Sequence, residues 1–353
     1  MAMVLILAVA LWVLGAVLGT PARLRWIMIG AVWLGVVLLH LLLPGGHPMR
    51  AATGENAAPW LLLGGAVGIG LAYAAVLRAL RARSRSATAP EETRAGTFSD
   101  AELERYARHI VLHEIGGPGQ KALKNARVLV IGAGGLGSPV MLYLAAAGVG
   151  TIGVIDDDAV EASNLQRQVI HPDASLGLPK VQSAAQAIRA QNPHVAVRPY
   201  HRRLTDEIAQ DLFADYDVIL DGVDNSATRY LSNRAAVATG RPLVSGALTQ
   251  WEGQLSVFDP ARGAPCYQCV FPEAADPALV PSCAEAGVMA ALPGVIGAMM
   301  ATEAIKLITG AGAALRGEML IYDALYGDAR KFTLARRADC PVCGEIKEKE
   351  HAG

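Results

Sequence analysis

Residues 127–138 read R-V-L-V-I-G-A-G-G-L-G-S. The apolar run predicts a buried strand, and the glycines after it, Gly132, Gly134 and Gly137, form the pattern G-x-G-x-x-G between that strand and a helix. Glycine is needed where the backbone turns tightly and comes close to a phosphate, and the N–H groups at the helix start point at the anion. We therefore predict that this loop, with Gly135, binds the phosphates of a nucleotide. A glycine-rich turn without a ligand is the alternative.

A second predicted strand ends in three carboxylates. Residues 151–158 read T-I-G-V-I-D-D-D. Asp156 follows the glycines at about 20 residues, which is the spacing at which an acid binds ribose hydroxyls. Asp156 and Asp158 are therefore predicted to contact the nucleotide.

Amide and cationic side chains follow these acids. Asn164, Arg167 and Gln168 lie in S-N-L-Q-R-Q, and Lys180 opens the next predicted helix. Arg167 and Lys180 are suited to stabilise charge that builds on an α-phosphate and on departing pyrophosphate. A nicotinamide needs a neutral surface instead, so the pattern favours ATP. The alternative is that both are solvated surface cations, as most Arg and Lys residues are.

A carboxylate after a later strand is the candidate metal ligand. Residues 221–225 read D-G-V-D-N and follow an apolar strand at 218–220. Carboxylates at the C-terminal ends of parallel strands lie on the ligand side of such sheets. We predict that Asp224 ligates Mg²⁺. On local grounds alone, Asp224 is equally suited to cap the helix that begins at Ser226.

Strands and helices alternate through this part of the chain, which predicts an α/β fold with a mostly parallel, Rossmann-like sheet covered on both faces. An apolar segment at 287–309 is interpreted as a core helix that starts after Pro293. Ser99 and Glu102 predict a capping box at the start of an earlier helix. The predicted strands are residues 127–131, 151–155, 195–200, 218–220, 243–245 and 255–258, and the predicted helices are residues 136–147, 180–191, 206–213 and 226–239.

The first 80 residues have a different composition. Three apolar runs, Met3–Gly19, Trp26–Leu43 and Trp60–Leu77, are each about 17–20 residues long, enough to cross a hydrocarbon core. They predict three transmembrane helices. A cleaved signal peptide is the alternative for the first run, but no Lys or Arg precedes Arg23 and two further runs follow.

Basic residues predict the orientation of this region. Arg23 and Arg25 lie in the first loop, further arginines follow the third run between residues 78 and 85, and the second loop holds Arg50 against Glu55. By the positive-inside rule, the first loop and everything after residue 80 face the cytoplasm, so the protein is expected in the inner (plasma) membrane. The net charge of −1 argues against nucleic acid as the main partner.

The expected domains follow from these shifts in composition. They are a transmembrane region at 1–80, a flexible linker at 81–98 rich in Arg, Ser, Thr and Ala, an α/β domain at 99–344 and a flexible tail at 345–353.

Four of the five cysteines form two C-x-x-C pairs, Cys266 with Cys269 and Cys340 with Cys343. Two such pairs are typical ligands of a tetrahedral structural zinc ion, and disulfides are rare in the cytoplasm. We predict a Zn²⁺ site that ties the C-terminal residues to the domain. A redox-active C-x-x-C is the alternative, which two pairs fit less well. Cys283 is left over and lies between polar residues.

From about Ser99 to Gly344, the chain resembles the MoeB/ThiF/HesA adenylyltransferases, which are relatives of the ubiquitin-activating enzymes. The resemblance implies ATP-dependent adenylylation of the C-terminal carboxylate of a small ubiquitin-like sulfur-carrier protein ending in Gly-Gly, with release of pyrophosphate. The pathway would be that of molybdopterin, thiamine or a related product. The shared motifs are R-Y-A-R, G-A-G-G-L-G, D-D-D, S-N-L-Q-R-Q, G-L-P-K, D-G-V-D-N, C-Y-Q-C, C-A-E-A-G-V and C-P-V-C.

The resemblance also implies roles for single residues. Asp156 would bind ribose and Asp224 Mg²⁺, while Asn164, Arg167 and Lys180 would hold the triphosphate and the transition state. Arg108, in R-Y-A-R, matches an arginine that reaches the phosphates bound by the neighbouring subunit, so a homodimer is expected. Cys283 matches a cysteine that in several relatives links to the carrier or handles sulfur. Ten residues follow Cys343, so an external sulfur donor is expected.

Two other classes of function fit parts of this pattern. An NAD-dependent oxidoreductase would share the glycine loop and Asp156, but should carry a catalytic His/Lys or Tyr/Lys pair after the fifth strand, and we find none. A non-catalytic, membrane-anchored nucleotide-binding module would not need Arg108, Arg167, Lys180 and Asp224. Adenylation of tRNA or of a peptide would use the same core and stays open.

Overall fold

The structure is a computed structural model that describes residues 2–44, 46–54, 56–86, 98–274 and 286–345. The chain divides into an N-terminal unit, Met1–Ala89, and a C-terminal unit, Pro90–Gly353. This boundary falls inside the linker predicted at 81–98. A helix that ends at Ser86 covers the start of that linker, and residues 87–97 lie outside the described residues. The predicted tail also lies outside them, apart from Glu345.

Helices make up the described part of the N-terminal unit, and each of the three apolar runs forms one. By length and composition, Arg23–Leu42 and Ala58–Val76 are long and apolar enough to cross a membrane. The first helix has 16 residues, and its apolar part, Ile6–Ala16, is shorter than the other two. The helices are α1 (Ala2–Val17), α2 (Ala22–Leu42), α3 (Pro48–Thr53) and α4 (Ala58–Ser86).

A small buried cluster joins α2, α3 and α4. The indole N–H of Trp60 donates to the carbonyl of Thr53 at 3.2 Å, and the indole N–H of Trp33 donates to the carbonyl of Trp60 at 2.9 Å. His40 Nε2 lies 3.0 Å from the hydroxyl of Thr53. Away from this cluster, many apolar side chains of the unit point outward; Leu62, for example, is 75% exposed.

Eight strands form one sheet in the described part of the C-terminal unit. They are β1 (Arg127–Ile131), β2 (Thr151–Asp156), β3 (Ala196–His201), β4 (Val218–Asp221), β5 (Leu243–Leu248), β6 (Glu252–Phe258), β7 (Glu318–Asp323) and β8 (Asp328–Thr333). Their order in the sheet is β3-β2-β1-β4-β5-β6-β7-β8. The pairs from β3 to β5 are parallel, and the pairs from β5 to β8 are antiparallel.

The sheet is therefore mixed, and the predicted parallel pattern holds for the half that carries the glycine loop. All six predicted strands are present, with ends that shift by a few residues. The sequence analysis does not predict β7 and β8, whose residues are mostly half-buried or exposed; β7 has only a short apolar run at 319–322, and β8 has none. An edge hairpin of this kind gives a weak periodic signal.

Helices cover both faces of the sheet, as the alternation predicts. The helices are α5 (Asp100–Ile110), α6 (Gly116–Asn125), α7 (Gly137–Ala147), α8 (Lys180–Gln191), α9 (Asp206–Ala214), α10 (Ser226–Thr239), α11 (Tyr267–Val270) and α12 (Leu292–Thr309). Side chains of β1 point alternately to the two faces: Val128 and Val130 join the core beneath α6, α7, α8 and α12, and Leu129 and Ile131 join the core beneath α9 and α10.

Two predictions about helices are confirmed. Ser99 caps α5, since its hydroxyl accepts the N–H of Glu102 at 3.3 Å and the Glu102 carboxylate accepts the N–H of Ser99 at 2.9 Å. The apolar helix α12 begins at Leu292, so Pro293 lies in its first turn and the helix does not start after it. By length and composition α12 could cross a membrane, but it belongs to the core of the C-terminal unit, as predicted. Ile296 and Met300 are fully buried there.

Candidate functional site

The glycine loop lies at the edge of the sheet where the parallel strands β1, β2, β4 and β5 end, which we call the carboxyl edge. Gly132 directly follows β1 and has a φ of 91°, a conformation that favours glycine. Its N–H donates to the carbonyl of Ile155 at 2.9 Å, which ties the loop to β2. The loop therefore leaves the sheet where ligands bind in folds of this class.

Two glycines of this loop serve different purposes. A Cβ on Gly137 would overlap the carbonyl oxygen of Gly132, so Gly137 is needed for the helix α7 to start this close to the loop. A Cβ on Gly134 would meet no protein atom nearer than Nε2 of Gln168, at 3.6 Å. Gly134 therefore leaves open space above the loop, which is what a bound phosphate requires.

Asp156, at the end of β2, holds the glycine loop in place through hydrogen bonds. Its carboxylate accepts the N–H of Ala133 at 2.7 Å and the N–H of Asp158 at 2.8 Å. Burial raises the pKa of Asp156, and the two accepted N–H bonds oppose that rise. Contact with ribose stays a prediction for this residue, whose carboxylate also holds the loop in place.

Arg167 lies beside the glycine loop, and Asn164 contacts Arg167. The guanidinium of Arg167 donates to the side-chain oxygen of Asn164 at 3.0 Å and to the carbonyl of Ser163 at 3.3 Å. A Cβ on Gly135 would lie 3.7 Å from the Arg167 side chain. The stem of Arg167 therefore lies beside the loop, and the binding of phosphate by its guanidinium stays a prediction.

Lys180 is a buried cation at the first position of α8. Its side chain is 7% exposed, and Nζ lies 2.7 Å from the carboxylate of Asp158, which is 64% exposed. Lys180 is therefore not the solvated surface cation that composition alone would allow. Asp158 balances the charge of this lysine, and its contact with the nucleotide stays a prediction.

Asp224 lies in the exposed loop between β4 and α10, at the carboxyl edge. It has no hydrogen-bond or ion-pair partner among the described residues. The alternative role as a helix cap is wrong, because Asn225 caps α10 by accepting the N–H of Thr228 at 2.9 Å. The Asp224 carboxylate is therefore available to a cation, and Mg²⁺ prefers oxygen ligands.

Arg229 is a functional candidate that sequence reasoning misses. It is buried on α10, and its guanidinium donates to Val223 and Gly246 carbonyls, to the Ser245 hydroxyl and to the Asp221 carboxylate. These bonds hold the loop that carries Asp224 against the end of β5. Burial raises the pKa of Asp221, and the charge of Arg229 opposes that rise. No local pattern reveals this pairing.

His171 is a second residue of this kind. It is 5% exposed, and its ring nitrogens lie 2.8 Å from the carbonyl oxygen of Ala133 and 3.0 Å from the hydroxyl of Ser183. Burial lowers the pKa of His171, so the ring is neutral at ordinary pH. The only signal in the sequence is its place three residues after Q-R-Q, which by itself indicates nothing.

The two remaining predicted site residues stay predictions. Arg108 is exposed on α5, where it is free to act outside its own subunit. Cys283 lies outside the described residues.

The other four cysteines form one buried cluster. The sulfur distances are 3.9 Å for Cys266–Cys269, 3.6 Å for Cys266–Cys340 and 3.4 Å for Cys269–Cys343. Four sulfurs at about 2.3 Å from one zinc ion are about 3.8 Å apart, so this spacing fits a tetrahedral site. All four are free cysteines, and the cluster is the tie between the C-terminal residues and α11 that the sequence predicts.

Neighbouring groups support the cysteine cluster. Asn233 of α10 donates to Cys266 Sγ at 3.7 Å and accepts the N–H of Tyr267 at 2.9 Å. Burial raises the pKa of Cys343 to about 11, so a bound cation is needed to keep this thiol ionised. Burial also opposes ionisation of Cys340, but nearby N–H groups bring its pKa down to about 7.

Comparisons with known proteins cover the C-terminal unit. The ThiF family model matches residues 106–342. The sulfur carrier protein adenylyltransferase of Thermus thermophilus is 49% identical over 252 residues, which are 70% of this chain and 93% of that protein. The probable adenylyltransferase/sulfurtransferase MoeZ of Mycobacterium tuberculosis is 51% identical over 259 residues, and the match spans 72% of this chain but 66% of MoeZ.

Solved structures share this fold. The crystal structure of Escherichia coli MccB with MccA-N7isoASN aligns with a TM-score of 0.61 at 24% identity, over 68% of this chain and 75% of that chain.

Proposed function

The chain belongs to the ThiF family, and we propose that it adenylylates the C-terminal glycine carboxylate of a ubiquitin-like sulfur-carrier protein, using ATP and releasing pyrophosphate. The names of its relatives support this reaction, since the Thermus thermophilus protein is a sulfur carrier protein adenylyltransferase. A carboxylate oxygen attacks the α-phosphorus, and the bond from that phosphorus to the bridging oxygen of pyrophosphate breaks. No general base is needed, because a carboxylate is ionised at neutral pH.

One observation carries the proposal: the glycine loop is open at Gly134, and the side-chain stem of Arg167 lies beside the next residue, Gly135, while Asn164 accepts a hydrogen bond from its guanidinium. Backbone N–H groups and the start of α7 attract the phosphates, and Arg167 supplies the cation that a transferring phosphoryl group requires. Lys180 supplies a second cation. It pairs with Asp158 in the free protein, and a bound triphosphate, which carries more negative charge, would compete for it. Catalysis here consists of positioning and of charge stabilisation.

Mg²⁺ is proposed to bind at Asp224. This carboxylate is exposed at the carboxyl edge, and Arg229 fixes the loop that carries it. The ion would neutralise charge on the phosphates when bound. The binding of ribose by Asp156 and of the triphosphate by Asn164 belongs to the same proposal.

Zn²⁺ is proposed to bind Cys266, Cys269, Cys340 and Cys343. The burial of the four sulfurs and their spacing support a structural ion, closed to substrate. The ion would add stability by linking the C-terminal residues to α11, and it takes no part in the transfer of the adenylyl group.

The N-terminal unit is proposed to span the inner (plasma) membrane, with the C-terminal unit in the cytoplasm. Support comes from the length and composition of Arg23–Leu42 and Ala58–Val76, and from outward-facing apolar side chains such as Leu62 and Ile69. The helix α1 is shorter than a typical span, so it would need to lie close to normal to the bilayer or thin it locally. The arginines at the start of α2 and in the C-terminal part of α4 set the orientation.

A homodimer and an external sulfur donor complete the proposal. Arg108 would reach the phosphates bound by the second subunit, which its exposed position on α5 allows. A nucleophilic sulfur delivered by another protein would then attack the carbonyl carbon of the carrier adenylate, with AMP as the leaving group, and Cys283 is the candidate to handle that sulfur or the carrier.

The test is the exchange of labelled pyrophosphate into ATP by the full chain in detergent. Exchange should depend on a carrier that ends in Gly-Gly, and a carrier shortened by its last glycine is the control. Arg167→Ala should lower exchange by about 100-fold or more, since it removes a group that stabilises the transition state. Asp224→Ala should abolish exchange.

Arg234→Ala is the matched control for these variants. Arg234 lies on the outer face of α10 in an exposed pair with Asp206, so its loss should leave exchange unchanged. Absence of exchange with every Gly-Gly carrier of the same organism would reject the proposed function.

A further inference from the structure

His171 connects the glycine loop to α8 through two hydrogen bonds, and none of the roles described so far uses it. Nε2 lies 2.8 Å from the carbonyl oxygen of Ala133, and Nδ1 lies 3.0 Å from the hydroxyl of Ser183. Ser183 is 1% exposed, so water does not compete for these contacts. A histidine this deeply buried needs both ring nitrogens satisfied, and here both are.

These partners fix the position of the ring proton. A carbonyl oxygen only accepts hydrogen bonds, so the proton must lie on Nε2, and Nδ1 accepts the proton of the Ser183 hydroxyl. Burial and the charge of Lys180 both favour the neutral ring that this arrangement contains, against the opposing effect of the Ala133 carbonyl. His171 therefore acts as a fixed donor toward the glycine loop.

The bond to Ala133 determines where the N–H of Gly134 points. The carbonyl of Ala133 and the N–H of Gly134 belong to one peptide group, and in a trans peptide these two groups point in opposite directions. No peptide in the described residues is cis. When His171 holds the carbonyl on its own side, the Gly134 N–H is directed to the other side of the loop. The preceding peptide is held as well, because the N–H of Ala133 donates to Asp156.

The bond to Ser183 connects the same ring to the lysine. Ser183 follows Lys180 by one turn of α8, and residues three apart share one face of a helix. His171 thus fixes the separation between the glycine loop and the helical turn that carries Lys180.

We propose that His171 is a positioning residue for nucleotide binding: it directs the Gly134 N–H toward the phosphates and sets the distance from the glycine loop to Lys180. The ligand is the triphosphate of ATP, so the inference rests on the proposed function. It adds to that function a residue that touches no substrate and acts through the Ala133 peptide.

The test is the affinity of purified full chain in detergent for MgATP, measured by calorimetry without any carrier. His171→Leu keeps the approximate volume but removes the donor, and the dissociation constant should rise by about tenfold, as expected for one lost hydrogen bond. His171→Gln places an amide N–H near the position of Nε2 and should keep the constant within about threefold of the wild type. His171→Asn is too short to reach Ala133 and should resemble His171→Leu.

The order of the MgATP dissociation constants among the three variants decides whether the inference holds. Thermal unfolding shows whether each variant is folded. A merely structural role predicts equal affinity for the Leu, Asn and Gln variants once folded, and that result would overturn the inference. If His171→Leu does not fold, the comparison of His171→Gln with His171→Asn still decides. A wild-type chain that binds no MgATP rejects the proposed function itself, and the inference falls with it.

Discussion

The guanidinium of Arg229 lies 3.4 Å from the carboxylate of Asp221, and the two side chains are 9% and 1% exposed. Asp221 ends β4, and Arg229 is the fourth residue of α10, so the pair joins a strand to the helix that follows it. The same guanidinium holds the carbonyl of Val223, next to Asp224. A buried ion pair thus fixes the loop that presents the proposed Mg²⁺ ligand.

Removal of the arginine should strongly destabilise the C-terminal unit. Arg229→Met leaves the carboxylate of Asp221 buried without its partner, and the free energy of unfolding should fall by about 3–5 kcal/mol. Urea unfolding of the full chain in detergent measures this change. Arg234→Met, which breaks the exposed pair with Asp206, should cost less than about 1 kcal/mol. An equal loss of unfolding free energy in the two variants would contradict the inference that the buried ion pair matters more than the exposed one.

Alanine should affect stability at one glycine of the loop and nucleotide affinity at the other. Gly137→Ala forces a Cβ onto the carbonyl of Gly132 and should cost about 1–3 kcal/mol of stability, because the loop and α7 must separate. Gly134→Ala meets no close protein atom and should change stability by less than about 0.5 kcal/mol. Its methyl group fills the phosphate cradle, so the affinity for MgATP should fall by about tenfold or more.

Calorimetry and thermal unfolding separate these two effects. A Gly134→Ala chain that binds MgATP as tightly as the wild type would show that the phosphates lie elsewhere.

The cysteine cluster should hold one zinc ion per chain. Cys266→Ser should remove the metal and lower thermal stability, because the buried thiols then lack the ion that binds them. Cys283→Ser is the control, since Cys283 belongs to neither C-x-x-C pair of the sequence, and it should keep the full metal content. Elemental analysis of both purified variants measures the ratio of zinc to protein. Metal-free wild-type protein with undiminished stability would argue against a structural ion.

His171 should make the stability of the C-terminal unit depend on pH in one direction. Burial lowers its pKa in the folded state below the value of about 6.5 of an unfolded histidine. As the pH falls below that value, the unfolded chain takes up the proton first. The contribution of His171 is therefore fully present above pH 6.5 and is lost as the pH falls toward the lower folded pKa, by at most about 1.4 kcal/mol per pH unit.

A comparison with His171→Gln isolates this contribution, because the other titrating groups are unchanged. The difference in stability between wild type and variant should shift against the wild type from pH 7 to pH 5.5. A difference that is constant over this range would show that the folded pKa of His171 is not lowered.

Local sequence patterns predict the elements of the C-terminal unit well. The strand at 127–131 and the helices at 180–191 and 226–239 have the predicted bounds, because apolar periodicity and the neighbouring Gly and Pro residues act over only a few positions. The choice between Asp224 and Asn225 as the cap of α10 shows what local sequence patterns cannot decide. Asp and Asn are both good caps, so D-N before Ser226 cannot tell Asp224 from Asn225 without the backbone geometry.

Local sequence was enough to predict the glycine loop, the alternation of strands and helices up to β6, the grouping of four cysteines in two C-x-x-C motifs and the apolar N-terminal helices. Each of these rests on residues that are close along the chain or on residue types with few alternative uses. Tertiary structure alone decided that Asp158 neutralises Lys180, that Arg229 holds Asp221, and that His171 bonds to Ala133 across 38 residues of chain. Such contacts form when the ends of separate strands and helices meet at one edge of a sheet, and hydrogen bonds between distant segments leave no periodic trace in the sequence that makes them.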